Sequence, residues 1–269
     1  MAKVDYKFKN TLDMIMASEW EVDNRAKWKD GTPVATKRAL QVVNKYDLAE
    51  EFPIITLRPT NLKAAIDEIL WIYQKFSNNI KDLNSKIWNA WADENGSIGK
   101  AYGYQIGKPM LGYDSQIDYV LQQIQINPTS RRLMLNMFNA EDSGEKALIE
   151  CAYALHLSVK DGKLHGTLVQ RSNDFLVANN WNLVQYAVLM HMIARHCQLE
   201  VGIFTHFIQD CHIYNKHEEN AKNMLHRVPT TAPKLWVNPE VKSFYDFTVD
   251  DFELIGYEPR TQLKFEVAE

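Results

Sequence analysis

The sequence has little of what would place it outside ordinary folded enzymes. It holds only three cysteines in 269 residues, Cys151, Cys197 and Cys211, and no CxxC pair, which excludes a disulfide-built secreted scaffold. No apolar run approaches the ~20 residues that a bilayer span needs. The first ten residues mix lysine, aspartate and aromatics without a signal-peptide core. Repeats, low-complexity tracts and Gly/Ser linkers are absent, and 11 glycines and 9 prolines are spread along the chain, so no domain boundary stands out. An excess of one charge is missing too. Lys+Arg 30 against Asp+Glu 34 leaves −4, which argues against a nucleic-acid coat or an anionic-membrane binder. The expectation is a single domain over 1–269, in the cytoplasm.

What is present is core-forming material: 46% hydrophobic and 11% aromatic residues, enough at this length to need no metal or crosslink. Leu62, Ala65, Ile66, Ile69, Leu70 and Tyr73 recur at helical spacing behind Asn61, a good N-cap. Leu183, Tyr186, Ala187, Met190, Ala194 and Cys197 predict a second helix over 183–198. Period-2 alternation predicts a strand over 151–159. Asp161-Gly162 marks a hairpin turn, 164–175 reads as the return strand, and 201–214 as another strand. Helices and strands mixed without regular alternation point to an α+β fold with a mixed or largely antiparallel sheet.

Several segments are too specific for packing alone: Gln170-Arg171-Ser172-Asn173-Asp174, Gln209-Asp210-Cys211-His212-Ile213-Tyr214 and Pro128-Thr129-Ser130-Arg131-Arg132. Together with Asp67-Glu68, the tryptophan pair Trp88 and Trp91, Asp23-Asn24-Arg25, and Trp236-Val237-Asn238-Pro239-Glu240, they run in an order that resembles the thymidylate synthases of the folate-dependent, non-flavin type. The resemblance extends nearly end to end.

It implies an α+β homodimer joined through its sheet and a reaction that methylates dUMP to dTMP. The co-substrate would be 5,10-methylenetetrahydrofolate, acting as one-carbon donor and reductant, with no flavin or metal. Cys151 would be the nucleophile that adds to the uracil ring. A free thiol has a pKa of about 8.5 and needs a nearby cation to ionise, and Arg171 is the expected source. Without the surrounding motifs, an isolated cysteine would be read as a buried structural thiol. Arg25, Arg171 and Ser172 match the contacts to the nucleotide phosphate within one subunit, and Arg131 and Arg132 the pair lent by the partner. Forked guanidiniums suit a dianion.

Asn182 would read the base, because an amide can donate to O4 and accept from N3–H, whereas an aspartate there would favour cytosine. His212 and Tyr214 would hold the sugar. On the folate side, Asp174 would meet the pterin as an ionised acceptor, with Trp88, Trp91, Ile87, Val177 and Trp181 as apolar walls and Ala268 in a terminal lid. Glu68 would anchor a proton-shuttling water network, and Tyr102 would stand near the water that removes the C5 proton. His206, Cys211, His212 and His217 give half a zinc signature, and the His-x-Tyr pair accounts for His212 better.

The chain also departs from the family pattern. Glu150 stands where proline usually precedes the nucleophile, and its carboxylate would oppose thiolate formation unless it points away. Ala178 and Asn180 replace a glycine and a proline, Glu269 replaces a small aliphatic terminus, and Gln209 replaces a glycine where a bulge would need positive φ. Two other readings use the same residues. One is a pyrimidine hydroxymethylase, which would trap the shared intermediate with water. The other is a catalytically weakened nucleotide-binding relative.

Overall fold

The computed structural model of the chain describes residues 1–266, without the side chains of 23–27. The expected phosphate contact of Arg25 and lid contact of Ala268 therefore lie outside the described residues. In the first half, helix α1 (Lys3–Met16) leads into strands β1 (Glu21–Lys27) and β2 (Pro33–Asp47) and helix α2 (Leu62–Tyr73). Two shorter helices, α3 (Gly103–Ile106) and α4 (Gln116–Ile126), precede strands β3 (Met134–Asn136), β4 (Ala152–Lys160) and β5 (Lys163–Gln170). A two-residue strand β6 (Asn173–Asp174), helix α5 (Asn179–His196) and strand β7 (Glu200–Tyr214) follow, then helix α6 (Glu218–His226) and the small pair β8 (Lys234–Val237) and β9 (Phe252–Ile255).

Strands β1-β2-β7-β5-β4-β3 form the main sheet in that order, with β6 added beside β7. Its neighbours are antiparallel except where β5 and β6 run parallel to β7. A parallel pair needs a crossover, and α5 provides it. The mixed α+β architecture expected from the sequence is what the chain adopts. One sheet face is apolar: Leu164, Gly166 and Leu168 of β5 and Phe204, His206 and Ile208 of β7 are buried beneath α5 and α1. No helix is long and apolar enough to cross a membrane among the described residues.

The helix over Leu62–Tyr73 has the bounds its spacing predicts, and the Asn61 side chain accepts from the Ala64 N–H at 3.1 Å. The hairpin at 161–162 also forms, with φ of +52° at Asp161 and +72° at Gly162, the positive pair of a type I′ turn.

Three expectations need correction. Helix α5 starts at Asn179, not 183, and the amide of Asn180, which looks like a cap or loop residue, is satisfied by tertiary partners. It accepts the Ile55 N–H at 3.1 Å. The return strand does not run unbroken to 175. It pairs with β4 and β7 as far as Gln170, breaks at 171–172, and resumes beside β7 alone at Asn173 in the same register. Finally, Gln209 carries no positive φ. The left-handed residue is Gln41 on the facing strand, at φ +57°, opposite Gln209 in a regular register. That conformation costs about 1–2 kcal/mol in a non-glycine residue.

Gly103 begins α3 under the site described below. A Cβ there would lie 2.2 Å from the Ser77 carbonyl oxygen and 2.8 Å from its nitrogen, which is backbone that cannot swing aside. Gly144 has open space around it. Gly103→Ala should therefore lower stability by about 1–3 kcal/mol or more, several degrees in melting temperature. Gly144→Ala should change it little. Equal melting temperatures for the two variants in a thermal scan would contradict this packing.

Candidate active site

The end of the β4–β5 hairpin and the loop before it gather the reactive groups. Cys151 stands just before β4, half-buried, and its carbonyl accepts the Arg171 N–H at 2.8 Å. That backbone bond continues the β4–β5 ladder by one step and sets Arg171 beside the thiol. The guanidinium then folds back. Its Nε donates to the Glu150 carbonyl at 3.0 Å, its Nη2 to the Ile149 carbonyl, and Nη2 also lies 3.6 Å from Cys151 Sγ. A fixed cation at that distance favours thiolate over thiol. The other two cysteines lie in the opposite environment: burial pushes Cys197 up to about 12 and Cys211 well above the ordinary thiol range.

From the other side, the Tyr102 hydroxyl accepts the Cys151 N–H at 3.2 Å. Tyr102 is buried and left-handed, with φ +45°, a strained conformation held by its surroundings. The Glu150 carboxylate does not face the sulfur. It pairs with Lys146 and accepts the Tyr102 N–H at 3.2 Å, so the acidic neighbour expected to oppose ionisation is already engaged elsewhere.

The amide of Asn182 lies in the first turn of α5. Its Oδ1 accepts from Gln170 Nε2 at 3.1 Å and its Nδ2 donates to Gln185 Oε1 at 3.2 Å. Gln170 is itself oriented by His206 Nε2, 2.7 Å from its Oε1. Burial drops His206 to about 3, so the ring is neutral and Nε2 serves as the donor. These two bonds leave Asn182 one hydrogen and one lone pair, a donor–acceptor edge of fixed polarity. Gln170 belongs to the Gln170–Asp174 segment, and nothing in the sequence marks it as an orienting group.

Glu68 of α2 is buried between two indoles, accepting from Trp88 Nε1 at 3.0 Å and Trp181 Nε1 at 2.8 Å. Burial raises its pKa, and the indole hydrogen bonds and Gln185 oppose the rise. Trp88 packs edge-on against Tyr102 at 5.0 Å and against Trp91 at 5.7 Å. Trp88 is thus mostly interior, while Ile87, 43% exposed, and the half-buried Trp91, Val177 and Trp181 are the accessible apolar surface.

His212 and Tyr214 meet edge-to-face at 5.2 Å, and His212 Nδ1 is held 3.1 Å from Asp210 Oδ1. Asp174 pairs with His212 across β6–β7 and accepts the Val177 N–H at 3.2 Å. Asp174 was expected to stay ionised, yet burial pushes its pKa up, opposed by His217, His212 and backbone N–H groups. Arg58 is a further cation near Asp174 that no motif in the sequence pointed to.

Ser172 sits in the break between β5 and β6, its carbonyl accepting from Gln170 Nε2 at 3.0 Å. Arg131 and Arg132 are exposed on the loop before β3, and among the described residues no side-chain hydrogen bond or ion pair joins them to this cluster. His206 and Cys211 are buried in the sheet, and no metal-holding group of histidine, cysteine and acidic residues occurs among the described residues.

Three comparisons match this chain. A sequence profile described as "Thymidylate synthase" matches residues 6–269. The thymidylate synthase of Bacillus mojavensis and thymidylate synthase 1 of Bacillus subtilis (strain 168) are each 41% identical, covering 100% of both chains. The solved structure of the thermostable thymidylate synthase A from Bacillus subtilis superposes with a TM-score of 0.94 at 41% identity, covering 99% of each chain.

The buried carboxyl of Glu68 gives a pH signature. Its folded pKa lies above its unfolded one, so its contribution to stability is fully present below the ordinary carboxylate range and is lost as pH rises through the raised folded value. Glutamine stays neutral at every pH. Wild type should therefore lose stability relative to Glu68→Gln as pH climbs from about 4 towards 8. Thermal unfolding of both proteins across that range checks this, and a pH-independent difference would contradict it.

Proposed function

The chain belongs to the thymidylate synthase family, and from that premise we propose that it methylates dUMP to dTMP, using 5,10-methylenetetrahydrofolate and releasing dihydrofolate. The observation that carries the reading is the convergence on Cys151 of the Arg171 guanidinium at 3.6 Å and the Tyr102 hydroxyl. Cys151 Sγ adds to C6 of the uracil, which moves the electron pair of the C5–C6 bond towards C5 and O4. Asn182 meets that charge, its remaining N–H directed at O4 and its free lone pair at N3–H. Its carboxamide polarity, set by Gln170 and His206, fits uracil and not cytosine.

The folate, when bound, supplies the methylene carbon and the hydride. The donor set fits a reduced pterin: an acceptor at Asp174 and apolar surface at Ile87, Trp91, Val177 and Trp181. Glu68, with its raised pKa, holds or releases a proton within reach of water-mediated transfer. Tyr102 orders the water that takes the C5 proton. Arg171 and Ser172 hold the phosphate, and His212 and Tyr214 hold the sugar. Departure of Cys151 then restores the ring.

The protein works as a homodimer. The sheet face away from the helices leaves Leu40 and Val43 exposed and Ile203, Thr205 and Phe207 half-covered, as a surface that a second copy would bury. Arg131 and Arg132, outside their own chain's cluster, complete the partner's phosphate site.

Incubation of dUMP with the folate should yield dTMP and dihydrofolate in equal amounts. Hydroxymethyl-dUMP with tetrahydrofolate would overturn the synthase reading. Cys151→Ser should lower kcat by about three orders of magnitude or more while dUMP still binds. Mixing inactive Cys151→Ser and Arg131→Glu subunits should regenerate activity, because one hybrid site keeps both intact residues. Heterodimers that form without activity would place Arg131 in its own subunit's site.

A further inference from the structure

The residue before the nucleophile is unusual in where its charge goes. Lys146 Nζ lies 2.8 Å from both carboxylate oxygens of Glu150, and both side chains are 0% exposed. The ammonium spends its remaining proton on the Met137 carbonyl at 3.2 Å and lies against the ring of Phe138. Its three donors are thus all used, and the pair has no contact with solvent. Burying two charges costs much of what their attraction returns, so such a pair is weak evidence of a stabilising role. What it touches is more informative.

Glu150 Oε1 also accepts the Tyr102 N–H, and the Tyr102 hydroxyl accepts the Cys151 N–H. The same residue's carbonyl receives Arg171 Nε, whose Nη2 reaches Cys151 Sγ. Both groups that flank the sulfur therefore trace back to residue 150, one through its side chain and one through its backbone. The segment 147–150 belongs to no helix or strand, and the Cys151 backbone joins the β4–β5 ladder only through its carbonyl, which accepts the Arg171 N–H. Upstream, Lys146 is bridged to Gly99 and the Ala147 N–H donates to the Ile98 carbonyl at 3.1 Å.

We propose that the buried Lys146–Glu150 ion pair is a positioning device for the reaction, holding Tyr102 and Arg171 on either side of Cys151 so that the sulfur is presented at one place. Neither residue of the pair touches substrate. The pair acts through Tyr102 and Arg171, and the inference rests on Cys151 being the nucleophile.

The test compares wild type with Lys146→Met, Glu150→Gln, Glu150→Asp and the double variant K146M/E150Q. The readouts are the rate of covalent complex formation with fluoro-dUMP and methylenetetrahydrofolate, and the dUMP dissociation constant. Each single neutralisation should slow bond formation on the order of 10- to 100-fold, because a small misplacement of a reacting group has effects of that size. dUMP affinity should stay within about threefold, the split expected when only the reacting geometry is disturbed. The double variant leaves no buried charge and keeps an oxygen for the Tyr102 N–H, so it should regain most of the lost rate.

Should the single neutralisations fail to fold, Glu150→Asp decides. It keeps the charge but withdraws the carboxylate by one methylene, and it should slow bond formation at normal dUMP affinity. Variants that react at the wild-type rate would overturn the proposal, as would parallel loss of rate and affinity without rescue in the double variant. A wild-type protein that forms no adduct would instead remove Cys151 as nucleophile.

Discussion

The site depends on the way Arg171 is held. A guanidinium left free in solvent would lend Cys151 little, because a mobile, hydrated cation is screened at the sulfur. Here the Arg171 N–H is bonded to the Cys151 carbonyl and Nε to the Glu150 carbonyl, so the cation is fixed at 3.6 Å from Sγ by the backbone that carries the thiol. The arrangement follows from the antiparallel β4–β5 pair. Its last rung brings residue 171 against residue 151, and the break in the strand between Gln170 and Asn173 leaves residues 171 and 172 outside the regular pairing.

A comparable constraint sets the state of Glu68. Glu68 is kept away from bulk water by α2 and α5, and two indole N–H groups are its main partners. Neutral donors stabilise the carboxylate less than a cation would, so burial wins and the pKa rises. A carboxyl in that state holds its proton to a higher pH than a solvated one. Asn182 is fixed differently, through a neutral His206 that orients Gln170, so its donor–acceptor sense does not depend on protonation in the physiological range.

Parts of this were legible in the sequence because local physics decides them. The 3.6-residue spacing and Asn61 give α2 its bounds, and Asp161-Gly162 supplies the two left-handed residues of its turn. The motif order pointed to the family. What was not legible depends on tertiary partners. The first turn of α5 is polar in sequence, and its Asn180 is satisfied by Ile55. Glu150 reads as an obstacle to a thiolate until Lys146 is found against it. The strain expected at Gln209 falls across the ladder on Gln41, a choice made by strand pairing and invisible in either residue alone. Trp88 reads as an apolar wall, and the hydrogen bond from its indole N–H to Glu68 is set by tertiary packing that the sequence does not display.

The central claim is that Cys151, among three thiols, is the group made reactive. Burial holds Cys197 and Cys211 as thiols, whereas Cys151 has a cation fixed against it. Peptide mapping by mass spectrometry, after incubation with fluoro-dUMP and methylenetetrahydrofolate, tests this directly. The account predicts one peptide carrying both ligands in covalent linkage, with the modification on Cys151. No adduct, or an adduct on Cys197 or Cys211, would contradict it.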